Sequence, residues 1–377
     1  MSSARRPIKV LHILHAFSHG GLENGIVNII NGSPPDIEHE LCLLTTADEF
    51  IHRLRKPVRY YQLHKGPGNS LTTVLELRRF IRQSGANIVH TRNWGAFDGI
   101  IAACLCPGIA LLHGEHGRDI SDTQGRNRRR NLLRRLFSPR VARFTTVSED
   151  LRLWLTERVG IPKSKIVLIR NGVDLELYRP RRDIALRQEL GISEQEFVVG
   201  AVGRLDPVKN YPGLIRSFAA LAREFPECRL LIVGDGPERQ TLETLARDHG
   251  MNPLSIFKGY RSDVDRFYGV FDVFVLNSFA EGMSNTLLEA MASGLPIIST
   301  SVGASADLLS DGNRGKLIAT GDEAQLAGAL REYRISPTLR HRHASEARYF
   351  VEQHCSLSQM VARYVDLYLS ISRLTKT

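Results

Sequence analysis

From end to end the chain alternates short apolar runs with amphipathic stretches, and this alternation restricts the folds open to it more than any other feature. In the first half the strand-like runs are IKVLHIL, HELCLLTT, NIVHTRN, ALLHGEH, RFTTVSE and IVLIRNG. Helical periodicity lies between them, as in LTTVLELRRFIRQSG and DLRLWLTERVG. In the second half FVVGAVGRL, CRLLIVG, VFVLNS and PIISTSV alternate with helices such as PGLIRSFAALAREF and PERQTLETLARDHG. Strand–helix alternation predicts an α/β protein with parallel sheets covered on both faces. At 377 residues the chain exceeds one typical core. The segment NGVDLELYRPRRD, with Gly172 and Pro180, reads as the linker. The expectation is two Rossmann-like doubly wound domains, residues 1–178 and 179–355, facing across a cleft. A helix at 356–377 then packs back across the hinge. Ligands bind at the carboxyl ends of strands in such domains, and closure of the cleft on its ligand is expected.

No apolar run approaches the roughly 20 residues that span a bilayer. The opening MSSARRPIKVLHIL is basic and then apolar, but the apolar part is short and continues into a strand pattern. It reads as the first strand of a cytoplasmic protein. The five cysteines, Cys42, Cys104, Cys106, Cys228 and Cys355, read as buried thiols of a reducing compartment, and Cys104 and Cys106 have no second pair for zinc. The net charge of +10 is uneven. Residues 1–178 hold 26 Lys+Arg against 16 Asp+Glu, which leaves 24 of each beyond (50 − 26 and 40 − 16). The excess in the first half points to a polyanionic partner there.

Glu281 and Glu289 lie eight positions apart in EGMSNTLLE, and Glu289 is the only charged residue from Gly282 to Ala306. VFVLNS ends a strand, FAEGM is a loop, and a helix starts near Ser284 and stops at Gly294, with Pro296 beyond. The backbone N–H groups of Gly282, Met283, Ser284 and Asn285 then form a helix N-terminus suited to a pyrophosphate. Side chains tilt toward a helix N-terminus, so Glu289 in the second turn reaches a neighbouring sugar with paired hydroxyls. Glu281 reaches a second sugar, or steadies developing positive charge. The plainer alternative is a loop acid and a structural ion pair; the strand–loop–helix context favours a site. VGRLDPVKN adds Arg204 and Lys209 directly after a strand, a guanidinium fork and a mobile ammonium for phosphate. In LIVGDGP, Gly234 and Gly236 permit close backbone approach.

In the first half, Gly20 and Gly21 of HAFSHGGLENG allow a tight loop after the first strand, with Leu22 opening a helix. ALLHGEHGRD places His113 and His116 at another strand end, with Glu115 expected to point away from both. His116 is favoured over His113 and His90 as a group that touches a sugar hydroxyl or moves a proton. The Asp-x-Asp of SDVDRF reads as helix capping, without a metal. Residues 117–144 carry nine arginines and two aspartates. Leu132, Leu133, Leu136 and Phe137 share one helical face, flanked by Arg128, Arg129, Arg130, Arg134 and Arg135. This pattern suits an interfacial helix on anionic lipid. Nucleic acid is disfavoured because aromatic residues for base stacking are scarce there.

The ordered set GGLE, EHG, TTVSEDL, NGVDLELYRP, VGRLDPVKN, LIVGDGP and EGMSNTLLEAMASGLPII resembles glycosyltransferase family 4, the retaining enzymes of the GT-B fold. The resemblance covers nearly the whole chain and is specific as a series. It implies a hexosyltransferase that takes sugar from a nucleotide-sugar, keeps the anomeric configuration and needs no metal or other cofactor. By the same resemblance Glu289 holds the ribose and Glu281 contacts the donor sugar. Arg204 and Lys209 hold the diphosphate, His116 lies near the transferred sugar, and Gly21 belongs to the glycine loop facing the phosphates. His113 leaves the register of His116 open. Within the family the chain resembles bacterial transferases of exopolysaccharide or surface-glycan assembly. That implies a lipid-linked or oligosaccharide acceptor and a place at the inner face of the plasma membrane, held there through residues 118–143. Two competitors remain: a nucleotide-sugar epimerase on the same scaffold, and a non-catalytic protein binding nucleic acid or anionic glycan.

Overall fold

The first half builds one sheet from seven parallel strands: β1 (Ile8–Leu14), β2 (Ile37–Leu43), β3 (Arg59–Gln62), β4 (Ile88–Arg92), β5 (Ala110–Glu115), β6 (Arg143–Thr146) and β7 (Ile166–Leu168). The order is β3-β2-β1-β4-β5-β6-β7, so the chain winds out to one edge and then reverses from β1 to β4. The computed structural model describes residues 7–18, 20–66, 68, 70–251, 254–309 and 312–373. The second half builds a six-stranded parallel sheet from β8 (Phe197–Val202), β9 (Cys228–Val233), β10 (Ser255–Phe257), β11 (Val273–Leu276), β12 (Ile297–Thr300) and β13 (Lys316–Ile318), in the order β10-β9-β8-β11-β12-β13. Both are the Rossmann-like sheets that the alternation predicts. β1, β4, β5, β8, β9, β11 and β12 are buried along most of their length, which is why they read as apolar runs.

Three strands lack that signal. β3 is RYYQ, half-exposed to exposed; β10 and β13 have three residues each, and none of the three is in the interior of its sheet. An edge strand has fewer covered positions, so its sequence carries less hydrophobic pattern.

The chain divides into two units between Gly172 and Val173 rather than at 178. The intervening residues stay with the second unit because Val173 bridges Ser356, Tyr178 O accepts from Arg348 Nη1 at 2.8 Å, and the Tyr178 ring meets Tyr268. The last helix, Leu357–Ser372, belongs to the first unit. Its Met360, Val361, Tyr364, Leu367, Tyr368 and Ile371 complete a core with Val10, Ile29, Ile37, Ile88, Leu112 and Ile169. Each such side chain contributes roughly 1.5–3 kcal/mol on burial. In the second unit the core runs from β8 and β9 to the Tyr211–Glu224 and Glu323–Ile335 helices.

Candidate functional site

In the second unit the two loops that the sequence singles out are tied together. β8 ends at Val202, and its loop turns at Gly203 (φ 153°) to carry Arg204 and Lys209. Gly234, at the end of β9, packs so tightly that a Cβ there would lie 1.9 Å from Gly203 O, so no larger residue fits. Phe279 N donates to Val208 O at 2.7 Å, and Asn277 Nδ2 to Asn210 O at 3.0 Å, fixing this loop against the one after β11. The result is a direct contact that sequence reading did not anticipate: Lys209 Nζ lies 2.7 Å from Glu281 Oε1. Ser278 Oγ donates to the same oxygen at 2.6 Å. Arg204 shares the loop but is 67% exposed, its guanidinium held by Asp206 at 2.6 Å.

The helix beyond Glu281 is Asn285–Ala292, with Ser284 as N-cap accepting from Leu287 N. Met283 and Ser284 are buried, while Gly282 and Asn285 are half-buried. Beneath them Gly303 (φ 52°) lies so near that a Cβ would meet the carbonyls of Glu281 and Gly282 at 2.4 Å. Ala304 N also donates to Gly282 O at 2.8 Å. Glu289 is half-buried, and the buried Tyr268 donates its hydroxyl to Glu289 Oε2 at 2.7 Å. Burial, followed by the Glu289 charge, raises the Tyr268 phenol well above its ordinary value, so it stays a donor. Tyr268 escaped notice because it reads as one more core aromatic in DRFYGV.

The Asp-x-Asp pair is engaged differently from a helix cap. Asp263 stands at the N-cap position without a capping hydrogen bond and pairs with Arg261 at 2.8 Å. Asp265 pairs with Arg181 at 2.6 Å.

In the first unit, Gly21 opens the Gly21–Gly32 helix one residue earlier than Leu22. A Cβ on Gly20 would fall 2.2 Å from Glu23 Oε2, so this helix start already holds its own carboxylate. The two histidines of β5 and its end separate cleanly. His113 is fully buried, with Nδ1 2.8 Å from Thr91 Oγ1 and Nε2 3.2 Å from Glu115 Oε1. Glu115 therefore shares a face with His113 and does not point away, as residues i and i+2 of a strand must. His116 is half-buried on the opposite face. Its Nε2 accepts from Arg92 Nε at 3.3 Å, its backbone N donates to Asn93 Oδ1 at 2.7 Å, and its ring occupies the space that Gly114 leaves without a side chain. Burial, then the Arg92 charge, pushes the His116 imidazole down to about 3.

The arginine-rich stretch forms the Arg128–Phe137 helix, with Arg134 departing from the expected flanking position. Arg134 points inward, where its Nε meets Glu115 Oε1 at 2.6 Å and its guanidinium stacks near both Trp94 and Trp154. Leu132 and Leu136 are each 66% exposed, beside exposed Arg128, Arg129 and Arg135. A groove of about 570 Å³ alongside is lined by Arg118, Gln124, Asp150, Leu153, Trp154, Glu157 and Arg158.

Comparison with known proteins agrees with this architecture. The model of Glycosyltransferase Family 4 matches residues 19–177, and that of Glycosyl transferases group 1 matches residues 183–350. The chain is 26% identical over 350 residues to N-acetyl-alpha-D-glucosaminyl L-malate synthase of Bacillus anthracis, covering 89% of this chain and 90% of that protein. It is 29% identical over 271 residues, 69% of each chain, to the UDP-Gal:alpha-D-GlcNAc-diphosphoundecaprenol alpha-1,3-galactosyltransferase of Escherichia coli. The crystal structure of Anabaena Alr3699/HepE in complex with UDP superposes with a TM-score of 0.83 at 21% identity, covering 96% of this chain and 100% of the other, and shows the fold to be GT-B. The chain thus belongs to the glycosyltransferases, with a family 4 domain followed by a group 1 domain.

Proposed function

We propose that the protein is a retaining hexosyltransferase that moves a sugar from a nucleotide-sugar to a lipid-linked glycan acceptor in exopolysaccharide or surface-glycan assembly, without a metal. The observation that carries this reading is the Lys209–Glu281 pair beside the N-terminus of the Asn285–Ala292 helix. Departure of a nucleoside diphosphate needs its growing charge stabilised, and Lys209, Arg204 and the N–H groups of Gly282–Asn285 supply that stabilisation from the protein itself. Glu289, steadied by Tyr268, takes the ribose hydroxyls, Glu281 the donor sugar, His116 a hydroxyl of the transferred sugar, and Gly21 the phosphate side. The bond from the anomeric carbon to phosphate breaks as the bond to the acceptor oxygen forms on the same face. The acceptor proton goes to the leaving phosphate, so no protein base is required.

The Escherichia coli relative is named for UDP-Gal and a diphosphoundecaprenol-linked acceptor, and the Anabaena structure contains UDP. The Bacillus anthracis relative is named for a malate product. The first half's excess of arginine favours the larger anionic acceptor for this chain. A thermal-shift series with nucleoside diphosphates and their sugar conjugates, run in excess chelator, tests the donor site. One base's ligands should stabilise wild type, by about 2.7 kcal/mol at a hundred times Kd, and fail to stabilise Glu289→Ala. If no nucleotide stabilises the wild type, the assignment is wrong. A donor-only incubation that yields an isomer would favour the epimerase.

Among the described residues no helix is long and apolar enough to cross a membrane. The outward Leu132 and Leu136 with Arg128, Arg129 and Arg135 support peripheral attachment to the anionic inner face of the plasma membrane, with residues 118–143 as the contact. Wild type should sediment with phosphatidylglycerol vesicles, less so as salt rises, and the double variant Leu132→Ser, Leu136→Ser should stay in the supernatant. Equal sedimentation of the two would remove this surface from consideration.

A further inference from the structure

We propose that Arg92 is a positioning residue that fixes His116 as the neutral Nδ1–H tautomer, so that His116 serves the transferred sugar as a hydrogen-bond donor and not as a general base. The role rests on the reading of His116 given above; the tautomer does not. Arg92 closes β4 and is 2% exposed. Strand alternation puts His90, Arg92 and Gly114 on the face covered by the last helix, and the His116 ring returns over Gly114 to that same face. A guanidinium has five donors and no acceptor. Its Nε contact at 3.3 Å therefore requires a lone pair on His116 Nε2, which leaves the proton on Nδ1.

The same side chain orders two further rings. Arg92 Nη1 lies 3.0 Å from His12 Nδ1, so the His12 proton sits on Nε2 and is donated to His39 Nδ1, also at 3.0 Å. The His39 proton is then on its own Nε2. Among the described residues no carboxylate lies within ion-pair distance of Arg92, and its Nη2 has no hydrogen-bond partner. Glu115 faces the other side of the sheet, where Arg134 and His113 occupy it. A proton on His116 would thus set a second positive charge beside a buried guanidinium that only the more distant Glu23 carboxylate offsets. Burial and Arg92 hold the imidazole neutral far below its ordinary value, to about 3, against the weaker opposite pull of Glu115. A free histidine side chain prefers the Nε2–H form, so a single Nδ1–H tautomer needs a structural cause, and Arg92 supplies it.

Long-range ¹H–¹⁵N correlation on full-length protein carrying ¹⁵N-histidine reads the tautomer directly, with the His116 signals assigned by their loss in His116→Gln. Wild type should show His116 protonated at Nδ1 only and unchanged from pH 8 to 5. In Arg92→Met the proton should move to Nε2, the ring should titrate nearer its ordinary range, and kcat should fall about tenfold with the donor KM within about twofold. A wild-type His116 carrying its proton on Nε2 overturns the proposal, as does an Arg92→Met spectrum still showing Nδ1–H. If Arg92→Met does not fold, the wild-type spectrum decides alone. Neither spectrum needs a donor or an acceptor, so failure of the transferase reading would show separately, as absence of nucleotide binding.

Discussion

Lys209→Ala should lower kcat/KM for the nucleotide-sugar by about 10²–10³-fold while shifting the melting temperature by only about 2–4 °C. The activity effect is expected to be large because the proposed reading gives Lys209 to the leaving diphosphate, in a loop that Phe279, Asn277 and Gly234 tie to its neighbours. The stability term is small because Lys209 and Glu281 both keep contact with solvent, and Ser278 still donates to the carboxylate. The pair also implies competition, since a diphosphate and Glu281 draw on the same ammonium. Glu281→Gln should therefore bind nucleoside diphosphate at least as tightly as wild type while losing turnover. Steady-state kinetics with calorimetric binding separates the two effects. Unchanged kcat/KM in Lys209→Ala would place the diphosphate elsewhere.

Arg134→Ala should destabilise the first unit by about 3–5 kcal/mol, because it strands Glu115 as a buried charge without its cation. Arg134 is 5% and Glu115 1% exposed. Trp94 and Trp154 both pack on Arg134, and the chain has two tryptophans, so intrinsic fluorescence during denaturant unfolding reports this unit alone. The pH dependence identifies the cause. Burial would raise the Glu115 carboxyl, but Arg134 and then His113 outweigh it and hold it down at about 2. A folded value below the unfolded 4.5 means that the stabilisation is complete above about pH 4.5 and is lost as pH falls toward 2. The wild-type advantage over Arg134→Ala should therefore narrow below about pH 4.5. A difference that is flat across that range would mean that Arg134 acts through packing alone. His39 and His116, both depressed to about 3 by burial and neighbouring cations, add a separate acid lability to both proteins that begins below about pH 6.5.

Much of the candidate site could be read one residue at a time. The strand–loop–helix context of EGMSNTLLE gave Glu281, the N-cap Ser284 and Glu289, and the strand-end position gave Arg204 and Lys209. Contacts between segments were not legible, because Lys209 and Glu281 are 72 residues apart and meet only through parallel pairing of β8 with β11. Arg92 was readable in principle: alternation from His90 puts it on the face to which Gly114 admits His116. The same rule places Glu115 beside His113, and it was misapplied there. Arg134 illustrates a real limit. Helical periodicity groups the leucines on one face with arginines flanking it, yet one buried carboxylate and two indole rings draw Arg134 out of that flank and inward, while Leu132 and Leu136 stay exposed. Short edge strands such as β10 and β13 carry too little burial to mark themselves.

The last helix finishes the core of the unit whose other residues end at Gly172. A ribosome makes that unit's strands first and its closing helix last, with the whole second unit in between. The face formed by Val10, Ile29, Ile88 and Leu112 stays uncovered while the second unit, about half of these residues, is synthesised, so the domain whose strands are made first is completed only after the other has emerged. Loss of the Leu357–Ser372 helix would strike the unit whose other residues lie farthest from it in sequence.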